Sequence, residues 1–186
     1  AILDLTDDQL DFRNAIEGFA RKDYGDDARR AIIASDLGMS ADIWQKMARD
    51  LGLMGMGFSE VHGGYGGRAL DQIPIMEAFG HALVVEPYLE TVICAGRLLQ
   101  HSDTAVASEL IASITAGELR LAVTGADRDD ISAAPHEASG WHLTGRAAVV
   151  VAAPWAHHLL VIARTAAQDR AVFLVAAETT GMDRRD

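Results

Sequence analysis

A single cysteine in 186 residues, Cys94, excludes a disulfide framework within the chain, so the core must come from packing alone. A reducing cytoplasmic setting is the expectation that follows. Positive charge is also scarce. Sixteen Lys and Arg face 27 Asp and Glu, a net charge of −11, and basic residues adjoin one another only in pairs such as Arg21-Lys22. Binding to nucleic acid or to an anionic membrane gains its energy from clustered cations that release counterions, so neither partner is expected. No apolar run approaches the roughly 20 residues that span a bilayer, and no basic segment followed by an apolar stretch opens the chain. The glycine run from Gly63 to Gly67 lacks the Gly-Lys-Ser/Thr ending of a phosphate-cradling loop.

What is present is a 49% hydrophobic content, enough for a substantial core, and a change of period part-way along the chain. Thr6-Asp-Asp-Gln9 has the form of a capping box, and Phe12, Ile16 and Phe19 recur behind it at helical spacing. Ser40 to Leu51 predicts a second helix, with Ile43, Trp44, Met47 and Leu51 on one face and Gly52 as its stop. Leu70 to Gly80, Pro87 to Leu99 and Thr104 to Thr115 predict three more. In the second of these, Val92, Ala95, Gly96 and Leu99 mark a buried face, and Cys94 is expected to be a small packed hydrophobe. After Gly117-Glu118 the pattern shortens to β-rich runs: Leu119–Thr124, Trp141–Thr144, Arg146–Val151, His158–Ala163 and Ala171–Val175. The expectation is an α+β chain, residues 1–117 helical and residues 118–186 β. Only Ala-Gly-Glu intervenes between Thr115 and Leu119, so the two parts are expected to pack as one unit.

Three segments carry a resemblance. Trp44 to Gly55 reads as a Trp…Leu-Gly-Leu-x-Gly helix end, Phe58 to Gly67 as an acidic residue followed by a Gly-Gly-aromatic-Gly turn, and Ala116 to Thr124 as a strand ending in Val-Thr. In this order they resemble the acyl-CoA dehydrogenase family, and the resemblance covers essentially all 186 residues. Leu83–Val92 followed by Gly96-Arg-Leu-Leu99 is most similar to the small subunit of pimeloyl-CoA dehydrogenase and related bacterial heteromeric enzymes. The resemblance implies an N-terminal helical domain and a middle β-barrel-like domain. The family's C-terminal helical bundle is absent from these residues. It further implies FAD as cofactor, an acyl-CoA thioester as substrate, a trans-2-enoyl thioester as product, and a homo- or hetero-oligomer with another acyl-CoA dehydrogenase subunit.

Carried over position by position, the resemblance places Leu121, Val123 and Thr124 at the flavin ring. The family's next motif, Gly-x-Lys-x-Trp-Ile-Thr-Asn, falls on Gly145 to Ala152, so Val149 stands where the aromatic would be and Val151 where the hydroxyl would be. Trp155, six positions after Val149, is the alternative aromatic. The family's Gly-Ser pair near the pyrophosphate falls on Asp129 and Asp130, with Arg128 beside them to offset the carboxylates. A chain with these substitutions either binds FAD weakly or serves as the flavin-poor, structural half of a heteromer. No catalytic base is nominated: the resemblance makes Glu60 a loop residue and Glu77 a helix residue. His136, His142, His157 and His158 fit no closed ligand set, so no metal is expected. Glu86 is expected to partner a helix N-terminus. The methionines are expected in the core, and Val149-Val150-Val151 with Leu159–Ile162 are expected to form an apolar surface that calls for a covering partner.

Overall fold

The computed structural model describes residues 6–67, 69–125, 130–136, 140–167 and 169–184. Helix α1 (Asp7–Asp23) opens on the expected capping box, with Thr6 and Gln9 exchanging side-chain and backbone bonds. Helix α3 (Ala41–Arg49) is capped by Ser40 and buries Ile43, Trp44 and Met47. Between them lies α2 (Asp26–Ile33), which was not expected: its stripe of Ala28, Ala31 and Ile32 spans little more than one turn, and the helix buries no residue. Helix α4 (Ile73–Ala82) follows a short 3-10 turn over Ala69–Gln72 and packs along α1.

The segment expected as one helix from Pro87 to Leu99 is two elements. Leu89–Ala95 is π-helical and passes without a break into α5 (Gly96–Gln100). The predicted face is right: Val92, Ala95, Gly96 and Leu99 are buried. Cys94 is exposed, contrary to expectation. It lies on the side of the helix opposite that face, so the apolar composition of the segment misled where its period did not. Helix α6 (Ala105–Thr115), capped by Thr104, packs on α5.

Among the described residues five strands follow: β1 (Leu121–Val123), β2 (Asp130–Pro135), β3 (Trp141–Arg146), β4 (His158–Arg164) and β5 (Arg170–Ala176). Strand β4 is the axis of the sheet. One of its edges pairs along its whole length with antiparallel β5, while the other is shared, β1 pairing in parallel with His158–Leu160 and β2 meeting it at Arg164. Strands β2 and β3 form an antiparallel hairpin. Its first strand was not expected, since Asp-Ile-Ser-Ala-Ala-Pro has little β-forming content and is held by its partner. The strand expected over Arg146–Val151 is absent beyond Arg146: the pairing with β2 runs through Gly145, at φ 144, to Arg146, its last described partner pair, and a turn from Val150 to Ala153 follows.

The main core runs through the helices and includes Leu121 and Leu160 from the sheet, the two strands that abut them. Leu159, Val161 and Ala177 form a smaller cluster on the sheet's other face. Leu159, Leu160 and Val161 are therefore buried within the chain itself, and the apolar surface expected there is not free. Side-chain hydrogen bonds tie the helical part to the β part. Trp44 Nε1 donates to Gly117 O at 2.9 Å, joined by Gln45 Nε2 at 2.7 Å; Trp155 Nε1 donates to Leu37 O at 2.6 Å; and Thr91 meets Leu121. Among the described residues no helix is long and apolar enough to cross a membrane.

Candidate functional site

Strand β1 has one edge against β4 and one edge away from it. Backbone groups of alternate residues point to opposite edges. Arg120 O accepts from His157 N at 2.9 Å and Thr124 N donates to Leu160 O at 3.1 Å, which assigns positions 120, 122 and 124 to β4 and positions 121 and 123 to the outer edge. At Leu121 both outer groups are taken. Thr91 Oγ1 accepts from Leu121 N at 3.1 Å and donates to Leu121 O at 3.0 Å, and Thr91 is 0% exposed. Val123, half-buried, carries the next outward pair.

Thr124 stands at a fork. Strand β1 leaves β4 after Leu160 and β2 arrives only at Arg164, which would leave the Ile162 N–H between them without a strand partner. The buried Thr124 Oγ1 accepts it at 2.9 Å, so a side chain stands in for the missing ladder. The residues that leave the fork, 126–129, lie outside the described residues, and with them Arg128 and Asp129; Asp130 opens β2 and is exposed.

The second segment of the expected site is arranged differently. Val149 is 74% exposed and Val151 58% exposed. Ala152 is left-handed at φ 65, the conformation that the family's Asn at this position tolerates better than alanine does. Trp155 does not turn toward Val149. Its indole bonds Leu37 O and lies against Gly38, so it belongs to the junction with the helices. Arg120 holds this corner from below, donating Nε to Trp155 O at 2.9 Å and its backbone N–H to His157 Nδ1 at 3.1 Å. Burial lowers the Arg120 pKa from its ordinary value, with no opposing charge among the causes. Burial, then Arg120 and His158, push the His157 pKa down. An accepting Nδ1 puts the proton of a neutral His157 on Nε2. The described His, Cys, Asp and Glu residues form no group that could hold a metal ion.

The glycine-rich loop is a packing device. Glu60–His62 makes a 3-10 turn, Gly63 closes it at φ 76, and Phe58 O accepts from Gly66 N at 2.7 Å. A Cβ on Gly64 would strike the Phe58 backbone, and one on Gly96 would strike the Phe58 ring. Glu60 and Glu77 are both exposed. Glu86 meets a helix N-terminus, that of α3, whose cap is Ser40, rather than the one its own segment opens. It is buried, its Oε1 accepts Ser40 N at 3.0 Å, and its Oε2 has no partner among the described atoms. Burial raises the pKa of the neighbouring Tyr24; the Val85 N–H that its hydroxyl accepts opposes this in part, and Glu86 adds to the rise. The sequence signal for this cluster was a Glu preceding Pro in an otherwise apolar run.

Residues 6–118 match the family model described as acyl-CoA dehydrogenase, N-terminal domain. The chain belongs to the acyl-CoA dehydrogenase family. It is 33% identical over 144 residues to acyl-CoA dehydrogenase FadE27 of Mycobacterium tuberculosis, covering 76% of this chain and 38% of that protein. It is 30% identical over 98 residues to acyl-CoA dehydrogenase IpdE2 of Mycolicibacterium smegmatis, covering 53% of this chain and 32% of the other. Among solved structures, the ChsE4-ChsE5 complex from Mycobacterium tuberculosis superposes with a TM-score of 0.84 at 26% identity, over 96% of this chain and 49% of that one. The chain thus spans less than half the length of these acyl-CoA dehydrogenases. The helical-then-sheet order expected from the resemblance is the fold observed.

Proposed function

We propose that the chain is a subunit of an FAD-dependent acyl-CoA dehydrogenase that converts an acyl-CoA thioester into a trans-2-enoyl-CoA. The observation that carries this reading is the outer edge of β1 at Val123, beside Thr124, in a chain of this family. A strand residue with an outward N–H and C=O offers one donor and one acceptor side by side, the complement of an imide rim. Thr124 Oγ1 accepts from Ile162 N–H, and its own proton is the part left to donate. Leu121 contributes its side chain to the core beneath, because its backbone groups are engaged with Thr91.

Val123 and Thr124 fit the polar rim of an isoalloxazine; Val149 and Val151, which the family motif assigns to the same site, offer neither a stacking ring nor a hydroxyl. When bound, FAD supplies the two-electron acceptor for the oxidation. The chain's own part is to bind the rim through Val123 and Thr124 and to exclude water with Val149 and Val151 once a partner covers them. The partner is a second chain of the same fold, a reading supported by the likeness to the ChsE4-ChsE5 complex.

The exposure of Val149 and Val151 favours a second reading, a flavin-poor subunit that shapes a catalytic partner. Visible flavin absorbance separates the two. Purified chain with stoichiometric flavin supports the first, and protein that turns yellow only with a co-expressed dehydrogenase partner supports the second. Under the second reading Val149→Trp with Val151→Thr raises FAD retention. A chain that stays colourless and monomeric in both preparations removes both readings.

A further inference from the structure

We propose that Thr91 sets the register at which a ligand reads the outer edge of β1, filling one strand position with its hydroxyl and leaving the next one open. This rests on β1 being the ligand-facing strand, as proposed above. A neighbouring strand would offer Leu121 a carbonyl and an N–H. Thr91 Oγ1 replaces both, accepting at 3.1 Å and donating at 3.0 Å. Thr91 is fully buried, so water cannot substitute for it. Val123, two residues on, presents the same pair of groups on the same edge, and Thr91 has already spent its one hydroxyl proton on Leu121 O. Val123 is then the first open position beyond Thr91, which fixes where along the strand a donor–acceptor rim begins.

The placement of this hydroxyl comes from the π-helical stretch. Its wider turn changes which residues of Leu89–Ala95 face the strand, and Val92 and Ala95 anchor the stretch in the core. A β-branched side chain adds a stiff χ1, so the hydroxyl reaches Leu121 without searching rotamers. Thr91 therefore acts on the ligand through Leu121 and touches no ligand itself. It is a positioning residue.

The test compares Thr91→Val, which keeps the shape and loses the hydroxyl, with Thr91→Ser, which keeps the hydroxyl. FAD is the probe, used below the melting temperature of each protein, and amide hydrogen exchange is read at Leu121 and Val123. In the parent chain without FAD, Leu121 is expected to be protected and Val123 to exchange fast, and added FAD protects Val123 alone. Thr91→Val is expected to free the Leu121 amide and weaken FAD binding by about tenfold, the equivalent of one directed hydrogen bond, while Thr91→Ser stays within about twofold of the parent. If Thr91→Val binds FAD as tightly as the parent while Leu121 exchanges fast, the proposal falls and the proposed function stands. If the parent takes up no FAD at any concentration, both fall. Should Thr91→Val fail to fold, the parent decides: equal exchange at Leu121 and Val123 overturns the proposal.

Discussion

The helices and the sheet bury their side chains by different rules. In the helical half, large side chains such as Trp44, Tyr88, Phe58, Met47 and Ile111 are enclosed by one another, and the polar atoms among them have partners. The Tyr88 hydroxyl shares its proton between Leu53 O at 3.0 Å and Gln72 Oε1 at 2.9 Å. In the sheet, β3 and β5 hold no fully buried residue, and β5 alternates exposed with half-buried positions along its length. Leu121 and Leu160, the two strand residues among the molecule's largest fully buried side chains, both sit in the helical core. The sheet is thus buried most deeply where helices lie on it, and its cohesion elsewhere rests on strand pairing and two small clusters.

That difference makes the halves fail differently. Trp44→Ala empties the centre of the core and cuts the bond to Gly117, a loss of about 3–5 kcal/mol. Helix and strand signals should disappear together in thermal unfolding, because the sheet takes its deepest burial from the same cluster. Strands that outlast the helices would break the comparison. The corollary is that proteolysis near Gly117 yields no pair of stably folded halves. Gly145→Ala is the converse experiment. Its Cβ would enter the Asp130 carbonyl at φ 144, so about 1–3 kcal/mol is lost locally. Hydrogen exchange should quicken in β2 and β3 and stay slow in α3 and α4.

Thr124→Val sharpens the comparison at the fork in the sheet. It leaves the Ile162 N–H without its acceptor, costing about 1–3 kcal/mol, and the Ile162 amide should lose protection while Leu160 keeps it. The smallest effect is one of pH. The folded pKa of His157 lies below its ordinary 6.5, so the unfolded chain takes up its proton first as pH falls. The stability that neutral His157 contributes is present above pH 6.5 and is lost as pH falls toward its folded pKa. His157→Gln should flatten the stability profile between pH 7 and 5 in urea titrations. A parent profile already flat across that window would remove His157 from the junction's energetics.

The helices were legible because their signals are local. A capping box at Thr6, caps at Ser40 and Thr104 and a 3.6-residue stripe through Trp44 and Met47 need no distant partner to be read. Helix α2 and strand β2 escaped for the same reason in reverse, one having an apolar stripe of little more than one turn and the other depending on pairing with β3. At the candidate site, Val123 and Thr124 were legible through the family motif and Thr91 was not. No pattern in Leu89–Ala95 marks a π turn, and the bond to Leu121 joins residues 30 positions apart. The reading of Arg146–Val151 as a strand followed β-branched content, which local propensity supplies, whereas the described pairing with β2 stops at Arg146.

Phe58 is wedged by its backbone against Gly64 and by its ring against Gly96, at the point where the π-helical stretch becomes α5. Either glycine gaining a methyl group collides with the same residue, so the three positions are inherited as one. Alanine at Gly96 should be costly with Phe58 present and much cheaper once Phe58 is leucine, a non-additivity that confines how this part of the sequence can drift.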